Sequence, residues 1–291
     1  MPQARTFDVL GTRLAALQWG DPAGEPTIAL HGWLDNAATF DRLAPQLPEL
    51  NLVAVDFAGH GHSSHRPAGV HYHSLLDIQE IVGIADQLGW ERFNVIGHSM
   101  GAGIATELTG LFPERVRRAV IIDGFLATGG AGPAERIDDN REAIVKMLGS
   151  AGRRAPVYPS IDDMIRRVTQ ATDQSWAAAE VLVARGHQAV DGGFTWRTDP
   201  RIRFPTPLRM AAEQIDELLR RVQAPSLLIV AANGDRWYLN GLDERQQAHG
   251  HLTVEHTGGP HHIHLEPDHC RRVGALVREF LGLGDPAAAL E

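Results

Sequence analysis

The chain has 291 residues, 43% hydrophobic and 22% charged, a balance that fits one α/β unit with an insertion and excludes a disordered chain. Its formal charge is −9, with no lysine- or arginine-rich run to offset it, so nucleic acid and anionic lipid are poor partners. Cys270 is the only cysteine, which rules out an internal disulfide and a cysteine-based zinc site.

The opening segment MPQARTFDVLGTRLAALQWGD lacks a charged stretch followed by an unbroken apolar one, and no window approaches the roughly 18 apolar residues of a membrane span. A cytoplasmic protein away from the membrane is expected. Residues 7–10 and 14–18, with Gly11-Thr12-Arg13 between them, read as an antiparallel hairpin. Residues 27–30, 52–55, 93–96 and 119–122 are short, aliphatic or β-branched runs, as strands covered on both faces are. Between them 41–47, 74–88 and 101–111 read as helices. Leu75, Ile78, Ile81, Val82 and Leu88 recur at helical intervals, and Gly89 stands where a C-cap belongs.

From 124 to 207 this alternation breaks. No comparable buried strand is visible, helices are predicted over 137–148, 161–171 and 176–185, and Pro200, Pro205 and Pro207 impose extended chain. Alternation resumes with a helix over 213–222, strands at 226–231 and 252–255, and a helix over 267–280. The expected fold is α/β: a doubly wound, mostly parallel eight-stranded sheet formed by 1–123 and 208–291, with 124–207 inserted as a helical cap. Two domains in series would leave the last strands in a sheet too small to stand alone.

The sharpest local signal is FNVIGHSMGAG at 93–103: an apolar strand, then G-x-S-x-G, then a helix opening on small residues. A serine in a strained strand-to-helix turn projects its oxygen above the sheet, and flanking glycines let the backbones pass. Ser99 is the candidate nucleophile, and the Met100 N–H at the helix start is a candidate oxyanion donor. IALHGWLD at 28–35 follows a buried strand with a His-Gly turn, which makes the Trp33 N–H the second donor. The glycine-rich loop 56–64 is expected to shape the pocket rather than to do chemistry.

A serine needs a histidine to take its proton and a carboxylate to hold that histidine. With such an elbow the order along the chain is serine, acid, histidine. Asp235, in a Gly-containing turn after the strand at 226–231, is the first candidate acid. Asp123, at the end of the strand 119–122, is the alternative. The segment TGGPHHIHLEP at 257–267 offers the base: His261, nearest the glycine turn, ahead of His262 and His264. The histidines at 60, 62 and 65 and at 261, 262, 264 and 269 lack the H-E-x-x-H spacing, so no metal is expected, and the mechanism needs no cofactor. Trp176, Phe194 and Trp196 are candidates to line the pocket.

Together, H-G-W at 31–33, D-x-x-G-x-G-x-S at 56–63, G-H-S-M-G at 97–101, G-D at 234–235 and H-x-x-H-L-E at 261–266 resemble the α/β-hydrolase fold 1 family over almost the whole chain outside the insertion. HGWLDNA at 31–37, FDRL at 40–43, SSHRP at 63–67 and TDPR at 198–201 resemble more closely the serine hydrolase-like proteins. Pro260 departs from the small residue that commonly precedes the histidine of this fold. The resemblance implies a serine hydrolase, with a carboxylic ester as the first expected substrate. Lactone opening, carbon–carbon bond hydrolysis, acyl transfer and non-catalytic binding on the same fold are the alternatives. A serine at position 99 argues against haloalkane dehalogenases and epoxide hydrolases, which resemble this chain but place an aspartate there.

Overall fold

Ile28, Ala29 and Leu30 are completely buried in succession, as are Leu52, Val53 and Ala54, and Val120, Ile121 and Ile122. Successive strand residues point to opposite faces, so a run like this requires a sheet covered on both sides. The computed structural model describes residues 1–126, 132–150, 155–206, 208–231 and 237–284. Eight strands form that sheet: β1 (Gln3–Val9), β2 (Thr12–Gly20), β3 (Glu25–Leu30), β4 (Leu50–Val55), β5 (Phe93–His98), β6 (Val116–Ile122), and, after an insertion, Ser226–Ala231 and Leu252–Thr257.

The insertion holds a further strand pair, β7 (His187–Val190) and β8 (Gly193–Trp196), so the last two strands of the main sheet are β9 and β10. The strand order is β1-β2-β4-β3-β5-β6-β9-β10. Pairing is antiparallel for β1 with β2 and β2 with β4, and parallel from β4 onward. The chain steps from β3 outward in both directions, and the carboxyl ends of strands at such a switch point form a crevice.

Two apolar layers sandwich the sheet. On one face, Ile78, Ile81 and Ile84 of α1 (Ser74–Gln87), Ile104 and Leu108 of α2 (Met100–Leu111), and Leu218 and Leu219 of the Ala212–Arg221 helix pack on Ile28, Leu30, Val95, Ile121 and Leu228. On the other, Val273, Leu276 and Val277 of the C-terminal helix (Cys270–Leu281) join Phe40, Leu43 and Leu47 against Ala29, Leu52, Ile96, Val120 and Ile229. Each such buried aliphatic side chain contributes about 1.5–3 kcal/mol.

Four local features differ from the sequence expectation. The first hairpin turns on Leu10 (φ 50°) and Gly11 (φ 82°), both left-handed as a two-residue type I′ turn demands, with Thr12 and Arg13 already in β2. Instead of a helix over 41–47 there are two short 3₁₀ turns, Ala37–Phe40 and Ala44–Gln46. Asn36 caps the first and Pro45 stands in the second.

The third difference lies between β6 and the Ala212–Arg221 helix. The chain there forms α3 (Pro133–Leu148), α4 (Ile161–Ala171) and α5 (Trp176–Gly186), which makes Ala212–Arg221 α6, but it also carries the β7–β8 hairpin. These four-residue strands are half exposed and carry no continuous apolar run. Lastly, helix α7 (Leu242–His249) lies between β9 and β10, leaving Cys270–Leu281 as α8. No described helix is long and apolar enough to cross a membrane.

Candidate active site

Ser99 sits between β5 and α2 with φ 53° and ψ −114°, a conformation that costs a non-glycine residue about 1–3 kcal/mol. Its surroundings hold it there. The Ser99 N–H donates to the Ile122 carbonyl at 3.0 Å, and the Ser99 carbonyl accepts from Ala102 and Gly103 at 3.0 and 3.2 Å. A Cβ on Gly97 would lie 2.3 Å from the Gly101 oxygen, and one on Gly101 would lie 2.2 Å from the Leu30 oxygen. Gly124 belongs to the same crossing, because its Cβ would meet the Ser99 oxygen at 2.5 Å. The elbow therefore depends on three glycines, and the third lies outside the G-x-S-x-G motif.

His261 follows β10 and reaches back over the sheet. Its Nε2 lies 2.9 Å from Ser99 Oγ, and its Nδ1 lies 2.5 Å from Asp123 Oδ2. The carboxylate on Nδ1 is thus Asp123, the second of the two acids weighed from the sequence. Asp235, the first, lies outside the described residues. Asp123 directly follows β6, the strand next to β5, and has a left-handed φ of 42°.

Burial by itself would raise the Asp123 carboxyl. Hydrogen bonds from His261, the Tyr238 hydroxyl and the Ala231 N–H outweigh it and hold the group below the usual carboxylate range. Tyr238 carried no signal in the sequence. The histidines weighed against His261 point elsewhere: His262 Nε2 lies 3.0 Å from Asp35 Oδ2, and His264 Nε2 lies 2.8 Å from Thr39 Oγ1.

The loop after β3 is fixed through His31. Its Nε2 accepts the Phe57 N–H at 3.1 Å, so Nδ1 carries the proton and donates to the Gly32 carbonyl at 2.7 Å. Burial lowers its pKa and keeps the ring neutral. Within the described residues the backbone N–H groups of Trp33 and Met100 have no hydrogen-bond partner. Both residues line the cavity that also contains Ser99 and His261.

The loop 56–64 is built around one buried carboxylate. Asp56 accepts from the N–H groups of Ala37 and His62 at 2.7 and 2.8 Å and takes a forked contact from Arg185 of α5. A Cβ on Gly61 would strike that carboxylate at 2.4 Å. Ser63 Oγ donates to the Asp56 carbonyl and accepts from the Ala15 N–H. The TDPR segment makes a second tie: Asp199 accepts from Tyr72 Oη at 2.8 Å, and the Asp199 N–H donates to the Gly59 carbonyl at 2.8 Å.

The cavity above Ser99 has a volume of about 960 Å³. Phe57, Ile104, Phe125, Leu126, Ile202 and Phe204 supply apolar wall, while Asp77 and Glu107 bring carboxyl groups to it. Burial raises Glu107. Trp176, Phe194 and Trp196 do not line it. Phe194 and Trp196 pack on the small cluster of Met164, Ile165, Ala179 and Val183, and Trp176 is exposed.

A sheet of this order with a strained serine after β5 defines the class as an α/β hydrolase. Residues 26–150 match the family model described as alpha/beta hydrolase fold. Among curated proteins the chain is similar to the serine hydrolase-like protein of Danio rerio, 31% identical with 90% of this chain and 83% of the relative covered. It is also similar to the human serine hydrolase-like protein 2, at 34% identity with 92% and 90% covered. A crystal structure of a hypothetical protein from Pseudomonas aeruginosa PAO1 superposes with a TM-score of 0.88 at 38% identity, covering 96% of this chain and 99% of that one. The chain belongs to the serine hydrolase-like proteins of the α/β-hydrolase family.

Proposed function

We propose that the protein is a serine hydrolase that cleaves carboxylic esters through an acyl-enzyme, with Ser99, His261 and Asp123 as its triad. The carrying observation is the hydrogen-bond chain from Ser99 Oγ to His261 Nε2 at 2.9 Å and from Nδ1 to Asp123 Oδ2 at 2.5 Å. Ser99 Oγ attacks the ester carbonyl as His261 Nε2 takes its proton, and the Asp123 carboxylate stabilises the imidazolium. The N–H groups of Trp33 and Met100 hold the oxyanion, the latter at the positive end of α2. His261 then protonates the leaving alcohol, and a water activated by the same nitrogen releases the acid.

The segment 124–207 acts as a cap in this reading. Phe125, Leu126, Ile202 and Phe204 come from it and line the cavity, so it sets which acyl groups fit and excludes water. The single, buried Cys270 suits a reducing, cytoplasmic setting. A panel of aryl esters of rising acyl length, with lactones and a carbon–carbon substrate included, tests the assignment. Turnover of the esters that disappears in Ser99→Ala supports it. Turnover confined to lactones or to the carbon–carbon substrate replaces the ester assignment, and no turnover at all favours a binding protein.

A further inference from the structure

Beside His261 lies a second histidine group, the His98 ring centroid 4.7 Å from that of His261. His98 ends β5, His262 follows His261, and Asp35 sits in the loop after β3. All three are buried, at 0%, 6% and 6% exposure. Their ligand atoms lie within 4.8 Å of one another. The His98 and His262 ring centroids are 4.6 Å apart.

His98 is placed between two acceptors. Its Nε2 lies 3.0 Å from the His261 carbonyl, and its Nδ1 lies 3.5 Å from Asp35 Oδ2. A neutral imidazole has one N–H. With that proton on Nε2, donated to the carbonyl, Nδ1 is a lone pair aimed at a buried carboxylate and makes no hydrogen bond. A ring-nitrogen lone pair and a carboxylate oxygen therefore face each other among buried side chains, and a cation between them satisfies both.

We propose that Asp35, His98 and His262 form a binding site for a divalent transition-metal ion of the zinc class, ligated through Asp35 Oδ2, His98 Nδ1 and His262 Nε2. Bonds of about 2.0–2.2 Å in a tetrahedral arrangement put ligand atoms about 3.4 Å apart. The present separations are 3.5 Å from Asp35 Oδ2 to His98 Nδ1 and 3.0 Å to His262 Nε2. The donor set, two imidazoles and a carboxylate, suits zinc or cobalt rather than calcium or magnesium.

The second sphere is present too, because a ligating histidine donates its other N–H to a carbonyl, as His98 does. His262 gives up the Nε2 proton it shares with Asp35, either to its own unpartnered Nδ1 or to solvent. The ion would fix the His261 carbonyl through His98 without touching Ser99, so the site stands whether or not the hydrolase reading does.

Chelator-stripped protein is dialysed against Co(II), and its metal content and visible absorption are measured. One Co(II) per chain with the intense d–d bands of a four-coordinate site, its fourth ligand a water, is expected in the wild type and in Ser99→Ala, together with a rise in Tm. Asp35→Asn and His262→Gln should lose the bands. X-ray absorption of zinc-loaded wild type needs no variant and should report two imidazoles and an oxygen ligand. Wild type without stoichiometric metal, bands that persist in both variants, or an oxygen-only zinc shell overturns the site.

Discussion

Replacing Asp123 by asparagine tests the acid assignment through the tautomer of His261. Asp123 Oδ1 already accepts from the Ala231 N–H at 2.8 Å and from the Tyr238 hydroxyl, so an asparagine keeps its carbonyl oxygen there. Its amide nitrogen then takes the place of Oδ2, facing His261 Nδ1 at 2.5 Å. An N–H donor opposite Nδ1 turns that nitrogen into an acceptor and moves the ring proton to Nε2, which then has no lone pair for Ser99. In serine proteases the same change lowers kcat by about 10⁴, which corresponds to about 5.4 kcal/mol at 1.36 kcal/mol per tenfold. Aryl-ester turnover by Asp123→Asn should fall by about that factor with KM little changed, while Asp235→Asn stays near wild type. A large loss in Asp235→Asn with Asp123→Asn unaffected would refute the reasoning.

Two further outcomes follow from buried charge. Burial holds His60 down to about 3 and His98 and His249 down to about 4, so the unfolded chain binds protons near pH 5 that the native state does not. Stability from these groups is complete above the ordinary imidazole value of about 6.5 and falls as pH drops toward the folded values. Asp77, pushed up to about 7 by burial, keeps its proton in the native state and offsets one of the three. Stability should therefore fall as pH drops from 7 to 5, measurable by urea unfolding, and a flat profile over that range would contradict it. Arg185→Met leaves the fully buried Asp56 carboxylate without its cation and should destabilise by about 3 kcal/mol, read as a lower Tm. An unchanged Tm would show that the α5 contact is incidental.

The readable parts of this molecule were those encoded in contiguous residues. The elbow needs Gly97, Ser99 and Gly101 in one segment, and the strands are unbroken apolar runs, so both were legible. The acid was read as Asp235 with Asp123 as the alternative, because the two follow adjacent strands, with Ile122 paired to Ile229, and either order satisfies the motif. Helix α7 escaped because LDERQQAH has no apolar stripe, and the β7–β8 hairpin because its strands are short and half exposed. Gly124, Tyr238 and the Asp35–His98–His262 group act through partners distant in the chain, which spacing along a single sequence does not reveal.

The nucleophile is tested most directly by intact-mass spectrometry after treatment with a fluorophosphonate. One adduct per chain is expected on Ser99 in the wild type, none in Ser99→Ala, and a much slower reaction in Asp123→Asn. A folded wild type that takes no label, or a Ser99→Ala variant that labels as fast as wild type, contradicts it.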